Sequence, residues 1–270
     1  MRKYITALIF LGGLEIALSL YLTTWREHFW NAISQKHSLD FVHQLIIFTI
    51  VALTICFTSG ASGYVVSLCS IRWRRILNAN AHKLSLSVEN SNQRIQEDCM
   101  SYPDLMLNLT VGAIKSLCYI LVFSVALIYS YSAIYLVILV AYAAVGMVAT
   151  NYIAKPLIKL NYEQQRAEAT YRNNLSIFNF SDCIRIMFGL AKKQKHLTYF
   201  QQFYGQLGVI IPLLIIAPVY FATGMNLGLL MRFNSIGSTI LDNLSYGVNS
   251  FGMLNKLISC RKRLKECTII

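Results

Sequence analysis

Apolar runs of about 20 residues recur along this chain, and that is the length a helix needs to cross the hydrocarbon of a bilayer. The clearest are 4–22, 44–68, 105–129 and 131–154, the last two separated only by a "YSYS" turn. A fifth run, 207–222, contains Pro212 and Pro218. A membrane helix tolerates proline where its neighbours re-satisfy the freed carbonyls. The sixth, 227–258, is rich in Gly, Ser and Asn, so it is expected to face protein or water rather than lipid. The pattern predicts an all-α membrane protein, with 1–270 forming one domain of six transmembrane helices. The apolar start 4–22 has a basic flank but no small-residue cleavage site, so it is expected to stay in place as the first span.

Composition agrees. Charged residues make up 13% of the chain, against about 25% in a typical soluble domain, and 56% of residues are hydrophobic. Mean hydropathy is +0.50. The net charge of +12 would suggest nucleic acid in a soluble protein, but here the charges sort by position. All of the 24 Lys and Arg lie at the termini or in the segments 70–104 and 155–206, except Arg26, Lys36, Lys115 and Arg232. Basic residues stay on the cytoplasmic side of a membrane. Both termini and both long loops are therefore expected in the cytoplasm, with lipid as the surroundings and no nucleic acid as partner.

Neither long loop reads as flexible. Residues 71–100 and 157–188 contain no Gly or Pro and are dominated by good helix formers. The polar stretch "NSNQRIQED" (90–98) is expected to be the solvated part of a helix, with Arg94 able to pair with Glu97 and Asp98 at helical spacing.

Catalytic chemistry is missing from the pattern. There is no GxxxxGK[ST] phosphate loop, no GxSxG and no HExxH. The chain is expected to be no enzyme, and only "CTII" follows Glu266, too little for an ATPase domain. The seven cysteines form no CxxC and no zinc spacing, and Cys56, Cys69 and Cys118 behave as small hydrophobes. The five histidines, His28, His37, His43, His82 and His196, are scattered. No metal and no cofactor is expected.

Ionisable groups at membrane depth cost several kcal/mol each unless paired, which makes them candidate functional residues. Glu15, Lys115 and Asp242 qualify. Either acid is suited to carry protons or to meet a cationic substrate. The alternative is that Lys115 neutralises one of them as a structural pair, or reaches toward the interface.

Four strings carry a family resemblance. "IRWRRILNANAHKL" with "NSNQRIQED", then "YEQQRAEATYRNNL" (162–175), "YGQLGVIIPLLIIAPVYFATGMNLGLLMR" (204–232) and "RKRLKE" (261–266) follow one another in the order found in the SbmA/BacA peptide-transporter family. The chain resembles that family over about residues 25–266. The resemblance implies the transmembrane domain of an ABC exporter without its ATPase, in a bacterial inner membrane. It also implies a homodimer that moves peptides or similar amphipathic solutes with protons. Acids of the inner loops are implicated in that family's coupling, and the matching positions here are Glu97, Asp98 and Glu168. Read from the residues alone, these are solvated helix-surface charges. The chain departs from the family at Arg232, where an amide is usual, and at Asn31, where an acid is usual. Its second loop is also shorter between about 180 and 200. Two other readings stay open: a membrane subunit powered by a separate ATPase, and a scaffold or remnant without transport.

Overall fold

The computed structural model describes residues 2–84, 91–150, 152–153 and 180–266. These residues are helical apart from short connections, and no strand occurs among them. The order is α1 (Arg2–Ser34), α2 (Ser38–Leu84), α3 (Ser91–Ser130), α4 (Ala133–Thr150), α5 (Phe180–Thr223), α6 (Leu227–Leu244), α7 (Tyr246–Asn249) and α8 (Phe251–Glu266). Five of them, α1 to α5, are long and apolar enough to cross a membrane. The chain is an all-α membrane protein.

Helix α2 has 47 residues. At 1.5 Å per residue that is about 70 Å, more than twice the hydrocarbon thickness. It passes Leu68 without a break because nothing between Ile71 and Leu84 stops a helix. At the other end of the bundle, α1 closes on an αL cap. Lys36 takes φ 58°, its amide bonds Ile33 O at 3.1 Å, and the His37 amide bonds Ala32 O at 3.0 Å. This pair of reversed bonds satisfies the last carbonyls of α1 and turns the chain into α2.

Helix α6 is the hub. It packs against α1, α3 and α5, and its Phe233, Ile236 and Ile240 are fully buried. Around them lie Ile16 of α1, Phe123 and Leu127 of α3, Leu139 of α4 and Ile216 of α5. Phe233 receives Tyr131 and Tyr135 edge-on, at 5.0 and 5.2 Å between centroids, an arrangement that matches ring edges to ring faces. Close approach requires small residues here: a side chain at Gly228 would collide with the Glu27 carbonyl and Asn31, and one at Gly237 would meet Pro212 at 2.9 Å. The composition of α6 is that of a helix surrounded by helices.

The sixth span, expected as one stretch over 227–258, is interrupted at Ser245 and Ser250. Side chains near the break compete for the helix carbonyls: Thr239 Oγ1 donates to Ser235 O and Asn243 Nδ2 to Thr239 O, both at 2.8 Å. Tyr246 is held to α3 through the carbonyls of Asn108 and Leu109. Beyond the break, α8 packs on α3, and a second small core joins Leu77, Cys99, Tyr102, Cys260 and Leu264.

Candidate functional site

Two polar devices interrupt the apolar interior, and a third lines a small pocket at which Asp242 is exposed. The first joins α1 to α3. Lys115 Nζ lies 2.6 Å from Glu15 Oε1, and one helical turn further along Tyr119 OH lies 2.9 Å from Ser19 Oγ. Lys115 sits about 22 Å along α3 from Ser130, well within an apolar run. The pair is mostly enclosed, the side chains being 11% and 30% exposed for Glu15 and Lys115. Its two charges cancel, which removes most of the cost of holding either one at this depth. Glu15 Oε2 is buried and has no hydrogen-bond partner among the described residues.

The second device joins α1 to α6. Arg232 donates to Glu27 Oε2 at 2.8 Å, Arg26 to Ser235 Oγ at 2.8 Å, and the Gly228 amide to Asn31 Oδ1 at 3.0 Å. Arg232 and Asn31, two of the departures from the SbmA/BacA resemblance, thus belong to one seam. An arginine on α6 is neutralised by Glu27, and the amide at Asn31 accepts a backbone bond. Position alone did not reveal this seam, because Arg26 and Arg232 stand out in the sequence only as exceptions to the sorting of basic residues. The signal available was Glu27 and Arg232, opposite charges at the far ends of two apolar helices.

The third surrounds Asp242. A cavity of about 70 Å³ is lined by Asp242 and Ser245 of the α6 end, Gln201 and Tyr204 of α5, Tyr142 of α4 and Asn249. It holds one or two water-sized occupants. Asp242 lies about 22 Å along α6 from Leu227. Among the described residues it has no cationic partner. The arrangement suits transient binding of a proton or a small cation.

Of the sequence candidates, the structure brings Glu15 and Lys115 together and puts Asp242 in a separate polar pocket. Glu97 is exposed, as a solvated helix charge should be, but Asp98 is 6% exposed and therefore is not one. Its burial comes from α3 meeting its neighbours at the first turns, beside the core that contains Cys99 and Tyr102. Glu168 lies outside the described residues. No group of three His, Cys, Asp or Glu that could hold a metal occurs among the described residues.

Comparison with known proteins adds a family. The model described as "ABC transporter transmembrane region 2" matches residues 2–179. An inner membrane ABC transporter ATP-binding protein of Escherichia coli, YddA, is 26% identical over an alignment covering 93% of this chain and 54% of that protein. ABC transporter D family member 2, chloroplastic, of Arabidopsis thaliana is 22% identical over 88% of this chain and 38% of its own length. An uncharacterized ABC transporter ATP-binding protein of Haemophilus influenzae is 24% identical, covering 81% of this chain and 45% of that protein. The chain spans about half the length of these curated relatives, or less.

Proposed function

Because this chain belongs to the ABC transporter transmembrane region 2 family, we propose that it is the membrane half of a dimeric transporter for peptides or similar amphipathic solutes, energised by an ATPase module acting with it. The family match over residues 2–179 carries this reading. The relatives' names as ATP-binding proteins favour ATP as the energy source. Size supports pairing of two copies. The helices of one copy surround a pocket of about 70 Å³ at Asp242 and a cavity of about 520 Å³ at one end. Among the described residues neither is a path for a peptide, which favours a second copy as the other wall. The distribution of Lys and Arg supports a cytoplasmic side for the termini and long loops, and the SbmA/BacA resemblance supports a bacterial inner membrane.

A second reading is proton-driven transport of the SbmA/BacA kind. It is favoured by the unpartnered Oε2 of Glu15 and by the polar pocket of Asp242. In this reading Glu15, Asp242, Asp98, Glu97 and Glu168 are the acids to test, with Lys115 setting the charge of Glu15. Uptake of a labelled peptide into cells expressing the protein separates the two. ATP depletion stops transport in the first reading and spares it in the second, and an uncoupler has the opposite effect. Absence of uptake under every condition supports a scaffold and overturns both.

A further inference from the structure

At the end of the bundle where the long connections emerge, α2, α3 and α8 diverge and leave a cavity of about 520 Å³. It lies just past the apolar run of α2 and just before that of α3, which is the level of lipid headgroups. Its polar wall carries Arg74 and Lys256 with the hydroxyls of Ser67, Ser70, Ser101 and Ser259. Its apolar wall is Ile71, Met100 and Leu105. One acid, Asp104, also lines it; its Oδ1 accepts a bond from Asn108 Nδ2 at 3.1 Å and its charge offsets one of the two cations. Among the described residues neither Arg74 nor Lys256 is paired with a carboxylate. Ser67 and Ser259 donate to Gly63 O and Asn255 O of their own helices, so their oxygens only line the recess. Two cations against one acid leave a recess of net positive charge, floored by apolar side chains.

We propose that this cavity binds the phosphate headgroup of an anionic amphiphile, with its acyl chain lying along Ile71, Met100 and Leu105. Basic pockets between membrane helices bind anionic lipid headgroups through this chemistry. Arg74 supplies a planar fork matched to phosphate oxygens, and Lys256 a mobile point charge. The hydroxyls of Ser70 and Ser101 are the short-reach donors of the shell. The site is independent of what the protein transports and of how transport is energised.

The test is lipid retention by the purified full chain in micelles doped with dioleoylphosphatidylglycerol or dioleoylphosphatidylcholine, read by native mass spectrometry. The expected result is preferential retention of phosphatidylglycerol, reduced on the order of tenfold in Arg74→Gln/Lys256→Gln. The double variant Arg75→Gln/Lys265→Gln removes the same charge from exposed positions of that end and should keep the preference. Ser259→Phe, which fills the cavity and leaves its charge, should lose retention while eluting as a single species. Inorganic phosphate distinguishes the sources. Displacement of the lipid by millimolar phosphate assigns the site to soluble phosphate compounds, and no displacement assigns it to lipid. Equal retention by the wild type and Arg74→Gln/Lys256→Gln, or loss in the exposed-position variant to the same degree, overturns the proposal.

Discussion

Tyr142 and Tyr204 hold each other by the same pair of bonds in both directions. The hydroxyl of Tyr142 donates to the Tyr204 carbonyl at 2.8 Å, and that of Tyr204 to the Tyr142 carbonyl at 3.3 Å. Their rings stack at 4.7 Å with 7° between planes. The symmetry extends one turn: Gly146 lies under the Tyr204 ring and Gly208 faces Tyr142. The strings "YAAVG" (142–146) and "YGQLG" (204–208) therefore form a self-complementary clasp between α4 and α5.

The clasp makes Gly146 sensitive. A Cβ there meets the Tyr204 ring, which its stacked partner prevents from swinging away. Gly146→Ala should destabilise the protein by about 1–3 kcal/mol through overpacking. Gly189→Ala, inside α5 where the new methyl enters open space, should stabilise by about 0.5–1 kcal/mol. Thermal unfolding in one detergent compares the two. Equal midpoints would remove the clasp from the account of stability.

Breaking one side of the Glu15–Lys115 pair leaves an uncompensated charge or an unsatisfied partner at membrane depth. Glu15→Gln and Lys115→Met should each cost roughly 3 kcal/mol, and the double substitution much less than the sum. The same double variant separates structure from coupling. If Glu15 only neutralises Lys115, the stable double variant transports at the wild-type rate. If Glu15 handles protons, it is stable and inactive.

The α1–α6 seam predicts rescue by exchange. Glu27→Arg and Arg232→Glu each place like charges in contact and should lower the yield of folded protein. Combining them restores the opposite pair, and gel filtration should recover most of the monodisperse peak. Failure to recover would mean that the orientation of Arg232, whose Nε lacks a partner among the described residues, matters more than its charge.

Asp242 tests the proton reading directly. Asp242→Asn keeps the shape and most of the hydrogen bonding of the pocket but cannot exchange a proton near neutral pH. It should abolish proton-driven uptake, Asp242→Glu should retain a fraction, and neither should move the unfolding midpoint by more than about 1 kcal/mol equivalent. Undiminished uptake in Asp242→Asn excludes this residue from coupling.

Length and composition made the helical class and the approximate place of most spans legible, because hydrocarbon leaves a backbone so few choices. They also singled out Glu15, Lys115 and Asp242, since charge is rare at that depth. What they could not supply was pairing. Which of two acids Lys115 meets depends on the 100-residue offset between α1 and α3, a tertiary fact with no local trace. The burial of Asp98 was hidden for a similar reason. Its surroundings are as polar as a solvated helix, and only the packing of α2, α3 and α8 encloses it. The break at Ser245 was obscured because Gly, Ser and Asn in α6 signal tight packing and helix interruption alike.

The two rungs between α1 and α3 share that offset: Glu15 meets Lys115 as Ser19 meets Tyr119. Sliding either helix by one turn would set Glu15 against Val111 or Tyr119 and strand the lysine. Axial slip between this pair is thus confined to whole-turn jumps that forfeit the ion pair. The two rungs oppose relative sliding of α1 and α3, so an opening of the bundle that keeps them has to be accommodated at other seams.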